Sequence, residues 1–242
     1  MGAAQLDEKQ AAALLEHVRN DTVVSPSAIL PALAKVTGDS FRPALAEYLK
    51  AAVARGWEPT EEQLAPVLAK MPDGPEAKGL RDAARNVTER RRAKLAEYEP
   101  LLTGGDPARG RSIFFDKKVA CGTCHRVGTE GGRVGPDLTK VGAIRAGRDI
   151  LESVALPSST IAQGFDPYVV QTKAGEVYAG VIPQPSADVL EIRDAAGNTT
   201  RVRKDQVARL KRQSVSIMPD GLPAALTRDE FRDLLAYLQS LK

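Results

Sequence analysis

The residues best suited to chemistry lie together in one short segment, Cys121-Gly122-Thr123-Cys124-His125. Two thiols three positions apart, followed at once by an imidazole, have the spacing that attaches haem covalently. The thiols reach the two vinyl groups on one edge of the porphyrin, and the adjacent imidazole then lies under the iron as its proximal ligand. Because the chain has only two cysteines, the spacing predicts one covalently bound haem c.

Three other interpretations of this segment compete with haem attachment. A disulfide or thioredoxin-like redox pair would follow a buried strand and begin a helix, but residues 115–120 do not have the pattern of a buried strand. A zinc site would need every cysteine and histidine in the chain, because it takes four ligands and the chain has two of each. Chance occurrence, given the scarcity of both residue types, is on the order of one in a thousand.

Two predicted helices flank the segment. Asp106-Pro107 can begin the first, with aspartate as the N-cap and proline at the first helical position. The last, over residues 226–238, is amphipathic and starts with a capping box at Thr227–Glu230. We expect Gly110 to let the last helix cross the first closely, and Leu234 and Tyr237 to pack over the gap.

With these helices in place, the chain resembles class I cytochrome c over roughly residues 106–164 and 211–242. The shared features are Gly110 and Phe114, the C-x-x-C-H segment, the Gly135-Pro136-Asp137-Leu138 turn, a Met218-Pro219 loop and the closing helix. The chain is more similar still to a bacterial C-x-x-C-H haem-binding domain family. That family is found at the C-terminus of large predicted secreted or membrane-associated dehydrogenases, often behind helical repeats. This closer resemblance is carried by Gly110-Arg111 with Phe114, by residues 131–139 and by residues 218–222.

The resemblance implies roles for individual residues. Cys121 and Cys124 would form the thioethers, His125 would be the proximal ligand and Met218 the distal one. The carbonyl of Pro136 would accept a hydrogen bond from the His125 ring and fix its orientation. One departure is that the stretch from 114 to 121 is longer than in short cytochromes. The glycines at 131, 132 and 135 fit no GxGxxG or Walker spacing, so a turn at the haem edge explains them better than a phosphate loop.

The first hundred residues read as helices only, and nothing in them looks catalytic. Pro31–Lys35 recurs as Pro66–Lys70 with a period of 35, which is in the range of helix-pair repeats. A plain helical bundle is the alternative. The predicted helices cover residues 6–18, 26–36, 41–55, 60–71 and 75–98.

A second departure from a compact cytochrome is a tract that alternates like strands, at about residues 166–210. The candidate strands are 168–172, 176–182, 189–192, 199–203 and 206–210, with hairpin turns at 173–175 and 195–198. A compact cytochrome c has no room for about 45 residues of sheet here, so we interpret the tract as an insertion. It could cover one haem edge or form a partner-docking surface.

The predicted fold is therefore mainly α. A helical bundle or helix-pair repeat domain, residues 1–102, is followed by a monohaem cytochrome c domain, residues 103–242, with a small antiparallel β insertion. The boundary is placed at 102–107, where the composition shifts and a glycine pair precedes Asp106-Pro107.

Composition narrows the function further. A net charge of +3 is too small to argue for nucleic acid, and no apolar run approaches the ~20 residues of a membrane span. Met1–Gln5 lack the basic and apolar regions of a signal peptide. Covalent haem attachment nevertheless implies maturation in the periplasm or at the cell surface.

We therefore expect an electron-transfer protein rather than an enzyme, possibly one part of a larger oxidoreductase, with a redox partner such as a dehydrogenase. One alternative is a haem sensor or catalytic haem protein with an open distal site, which requires that Met218 does not bind. Another is an interaction scaffold in which the haem is secondary. Basic residues near the insertion could neutralise haem propionates or steer an acidic partner: Arg201, Arg203, Lys204, Arg209, Lys211 and Arg212.

Overall fold

The computed structural model describes residues 6–19, 24, 26–183 and 186–242. The predictions made for Met1–Gln5 fall outside these residues. The chain divides into two compact units, Met1–Arg92 and Ala93–Lys242. Among the described residues, no helix has the length and apolar character that a membrane span needs.

The first unit is built from amphipathic helices around a leucine-rich core. Capping boxes start two of them, at Asp7 with Gln10 and at Thr60 with Gln63. The first helix packs on the third and the second on the fourth. All five predicted helices are present, with ends that differ by at most three residues: α1 (Glu8–Val18), α2 (Pro26–Leu33), α3 (Arg42–Ala54), α4 (Glu61–Leu68) and α5 (Pro75–Ala96). The last four residues of α5 belong to the second unit. Whether they form a bundle or a helix-pair repeat stays a prediction.

The second unit has a helical core built by the first and last of its longer helices. Asp106 caps the first of these, with Pro107 at its first position, and Thr227 with Glu230 forms the capping box of the last. Both caps confirm the sequence prediction. The helices of this unit are α6 (Pro107–Phe115), α7 (Cys121–Cys124), α8 (Val141–Ile144), α9 (Gly147–Ala155) and α10 (Arg228–Ser240).

The predicted close crossing of α6 and α10 is also present. A Cβ on Gly110 would overlap the backbone carbonyl of Asp233 and lie 2.7 Å from the Cβ of Tyr237. Only glycine therefore allows this approach. Leu234 and Tyr237 are both buried there, and the Tyr237 ring meets Phe114 edge-on at 5.6 Å.

The β insertion forms one antiparallel sheet, with the strand order β6-β5-β4-β3-β7. The first four strands follow one another as hairpins, and β7 returns to pair with β3. One face of the sheet buries Val170, Leu190, Ile192 and Val202. The strands are β3 (Pro167–Thr172), β4 (Val177–Val181), β5 (Val189–Arg193), β6 (Thr199–Arg203) and β7 (Val207–Arg212), while the short β1 (Arg126–Val127) and β2 (Glu130–Gly131) pair separately.

One point of the predicted architecture needs correction. About half of the chain is helical and the insertion is a sheet of five strands, so "mainly α" and "small insertion" hold only in part. The five strands and their antiparallel hairpins were predicted, but the insertion was described as small although it supplies all five strands of one sheet. The compact units divide at Arg92/Ala93, and Leu95 and Leu101 are buried in the core of the second unit. The domain boundary at 102/103 stays a prediction.

Candidate functional site

The predicted haem-binding segment occupies a single helical turn, α7. Residues 116–120 before it form a turn and no strand, and Ala120 takes a left-handed conformation with φ of +49°. Both cysteines are free thiols and partly buried. Within the described part of the chain, no group of three or more His, Cys, Asp or Glu side chains is arranged to hold a metal ion. These observations disfavour the thioredoxin-like and zinc interpretations.

The loop of residues 131–136 folds back directly onto α7. The amide of Gly132 donates to the carbonyl of Gly122 at 2.8 Å, and the amides of Val134 and Gly135 donate to the carbonyl of Cys124 at 3.0 and 2.9 Å. A Cβ on Gly132 would overlap the carbonyl oxygen of Thr123. The glycines therefore serve close backbone approach to the cysteine turn, which agrees with the rejection of a phosphate loop.

The same loop orients the His125 ring. Nδ1 of His125 lies 2.9 Å from the carbonyl oxygen of Pro136. Because a carbonyl can only accept, Nδ1 carries the proton, and the lone pair is on Nε2. A Cβ on Gly135 would lie only 2.5 Å from Cε1 of the ring. Glycine thus lets the loop lie against the imidazole and leaves Nε2 as the nitrogen that can bind a metal.

Met218 lies in a loop that is anchored to the second unit. The amide of Ser216 donates to the Ser158 hydroxyl at 3.0 Å, and the amide of Met218 donates to the Ser216 hydroxyl at 3.1 Å. The Met218 side chain is partly buried and packs against the same hydrophobic core as Cys121 and Leu138. The Met218 side chain and the cysteine turn α7 therefore pack against the same hydrophobic core.

One comparison with known proteins bears on these features. Residues 107–189 match the family model for cytochrome c. The cytochrome c region covers about a third of the chain and contains Cys121, Cys124, His125 and Pro136, whereas Met218 lies beyond it. No curated protein matches the chain. The match indicates a region of the kind that binds haem covalently and transfers electrons.

The chemistry of the cytochrome c region fits that cofactor. Burial raises the pKa of the Cys121 thiol to about 11 and also raises that of Cys124, so both are neutral thiols at pH 7 rather than preformed thiolates. Burial lowers the pKa of His125, partly offset by its bond to Pro136. A neutral imidazole is the form that ligates iron. The free thiols and the open Nε2 are the groups a covalent haem requires.

Two residues that matter to this architecture were missed by the sequence analysis. Asp233 in α10 is buried and accepts hydrogen bonds from the amide of Asp106 and the guanidinium of Arg109. Arg193 at the end of β5 donates to the carbonyl of Arg133, in the loop beside the cysteine turn. Neither has a sequence signal, because a charged residue in an amphipathic helix or at a strand end is ordinarily solvent-exposed.

Proposed function

We propose that the second unit is a monohaem c-type cytochrome that passes single electrons from a dehydrogenase outside the cytoplasm to a downstream acceptor. Cys121 and Cys124 form the thioethers, His125 is the proximal ligand and Met218 the distal ligand. The observation that carries the proposal is the His125–Pro136 hydrogen bond beside two free thiols on one helical turn. Residues 121–125 thus present two thiols and one imidazole nitrogen, Nε2, that the bond to Pro136 leaves for a metal.

Each residue has a distinct task in this function. The two cysteines fix the group to the chain, and Pro136 holds the His125 tautomer and makes the ring more basic. Haem c, when bound, supplies an iron that gains and loses one electron. Thioether ligation by Met218 favours reduced iron and raises the potential, which suits a carrier that receives electrons from an organic-substrate dehydrogenase. The chain then needs no catalytic residue of its own.

The proposed redox partner is a protein with an acidic surface. Of the six basic residues near the insertion, three are engaged in ion pairs: Arg201 with Glu191, Arg203 with Asp205 and Arg212 with Asp166. The other three are exposed and make no ion pair with the residues that the structure describes: Lys204, Arg209 and Lys211. These free cations would speed association with an acidic partner, with a rate that falls as salt shortens the Debye length.

Whether Met218 binds the haem iron distinguishes an electron carrier from a haem sensor. Replacing Met218 with alanine should abolish the weak sulfur-to-iron band at the red end of the ferric spectrum, lower the potential and open the iron to carbon monoxide. Met71→Ala is the matched control, because Met71 is buried in the core of the first unit. It should leave the spectrum unchanged. Wild-type protein that already binds carbon monoxide readily would overturn the carrier proposal in favour of an open distal site.

A further inference from the structure

The loop of residues 131–136 is held from two sides. On one side its amides bond to the carbonyls of Gly122 and Cys124, as described above. On the other side lies the β5–β6 hairpin, residues 189–203, where Arg193 Nη1 donates to the carbonyl of Arg133. A Cβ on Gly197 would lie 3.7 Å from Cγ2 of Val134, a residue that is 2% exposed. The hairpin therefore contacts the loop that carries Gly135 and Pro136.

The hairpin is stiff at the point of contact. Asp194 Oδ1 accepts from the amides of Ala196 and Asn198, both at 2.9 Å, and Asp194 Oδ2 accepts from the Asn198 side chain at 3.0 Å. The backbone closes the turn with bonds between Asp194 and Asn198 and between Gly197 and Asp194. A turn with this many bonds can hold a neighbouring loop in place, whereas an exposed flexible tip could not.

We propose that the β5–β6 hairpin braces the 131–136 loop and thereby keeps the Pro136 carbonyl against His125, with Arg193 as the positioning residue. The inference rests on the proposed function, in which His125 binds iron. It assigns the β insertion a role in tuning the haem ligand, in addition to the steering of a partner by its basic residues.

The brace predicts the direction in which the reduction potential changes when the loop is loosened. A firm bond from Nδ1 to a carbonyl makes the imidazole a stronger electron donor, which favours oxidised iron. Loosening the loop weakens that bond and should therefore raise the potential. Loss of a positive charge near the site has the opposite sign, because a nearby cation disfavours the more positive, oxidised iron. The two explanations are thus distinguishable by direction.

The test compares three variants of the full chain carrying haem. Arg193→Met keeps the aliphatic stem and removes the donors, while Arg193→Lys keeps the charge and a donor. Arg201→Met is the matched control, since it removes one cation from the same sheet face, where Arg201 pairs with Glu191. The measurements are the reduction potential and the amide hydrogen exchange of Gly132, Val134 and Gly135.

The brace predicts that Arg193→Met raises the potential and speeds exchange of the loop amides about fivefold, the effect of losing one ordinary hydrogen bond. Arg193→Lys and Arg201→Met should stay close to wild type in both measurements. Unchanged loop exchange in Arg193→Met would overturn the proposal, and so would a potential that falls equally in Arg193→Met and Arg201→Met. The exchange result stands independently of whether His125 binds iron, which the spectra of the same samples report.

Discussion

At the scale of single residues, Asp233 links the beginning and the end of the second unit. It is 3% exposed, and its carboxylate accepts from the Asp106 amide at 2.7 Å and from Arg109 Nε at 2.6 Å. The hydrogen bond from Arg109 holds the pKa of Asp233 below its usual range. A carboxyl with a depressed pKa in the folded state stabilises that state above its ordinary pKa, and the stabilisation is lost as pH falls through the folded value.

We therefore predict that Asp233→Asn destabilises the second unit by roughly 1–2 kcal/mol at pH 7, since it removes a charged acceptor from a largely exposed arginine. The difference from wild type should shrink as pH falls below about 4, the ordinary aspartate pKa, because the carboxyl of the unfolded chain is protonated there first, and it should vanish once pH falls through the lower pKa of folded Asp233. Denaturant unfolding as a function of pH measures both.

The control for this prediction is Asp229→Asn on the same helix. Asp229 pairs with Arg232, but its side chain is 78% exposed, so its replacement should change stability by about 0.5 kcal/mol or less. Equal effects of the two substitutions at every pH would contradict the role assigned to the buried carboxylate.

The sequence predicted the single residues whose role depends on a fixed local spacing. It missed the residues whose role depends on contacts with distant parts of the chain. The spacing of Cys121, Cys124 and His125 is local, and the resemblance supplied the Pro136 carbonyl, which lies 2.9 Å from the His125 ring. Asp233 and Arg193 act through partners 127 and 60 positions away. Nothing next to them in sequence distinguishes them from surface charges.

At the scale of elements, the close crossing of α6 and α10 forms part of the hydrophobic core of the second unit, which Cys121 also contacts. We predict that Gly110→Ala destabilises the second unit by about 2–3 kcal/mol, because the new methyl group meets the backbone of Asp233, which cannot move aside as a side chain would. Thermal or denaturant unfolding followed at the haem absorbance would measure the loss.

Gly79→Ala in α5 is the control for the crossing, since a Cβ there meets nothing within 4 Å. In a helix interior this substitution should be neutral or stabilising by up to about 1 kcal/mol. Fluorescence of Trp57, the single tryptophan, which packs against the core of the first unit, reports its effect. A Gly110→Ala protein as stable as wild type would contradict the close crossing.

The elements themselves were largely predictable, because capping and periodicity are local. Thr227 with Glu230 and Asp106 with Pro107 confirm the predicted helix starts. Gly175 and Gly197 have φ of +91° and +87°, as the predicted hairpin turns require. The pairing of β7 with β3 was not predictable. It joins strands that three other strands separate in sequence, and it depends on how the side chains of the complete sheet pack.

At the scale of the whole molecule, the position of the boundary between units has a measurable consequence. A fragment of residues 93–242 keeps Leu95 and Leu101, which are buried in the core of the second unit, and the edge-on contact of Tyr98 with Phe231 at 5.4 Å. A fragment of residues 103–242, cut where the sequence placed the boundary, loses all three. Burial of two leucines and a tyrosine predicts that the shorter fragment is less stable by about 3–6 kcal/mol.

Both fragments would be matured with haem in the same way and unfolded in denaturant side by side. The account predicts a single cooperative transition for residues 93–242 and an earlier, less cooperative one for residues 103–242. Equal midpoints would contradict the assignment of residues 93–102 to the second unit.

The central claim concerns the covalent bonds at Cys121 and Cys124, and one measurement tests it most directly. The full chain, matured in a host that attaches haem, is denatured, extracted with acid-acetone and weighed intact after treatment with a thiol-alkylating reagent. We predict the mass of the chain plus one haem and no alkyl groups, because both cysteines are thioethers and the chain has no others. A mass equal to the haem-free chain with two alkyl groups would contradict the account.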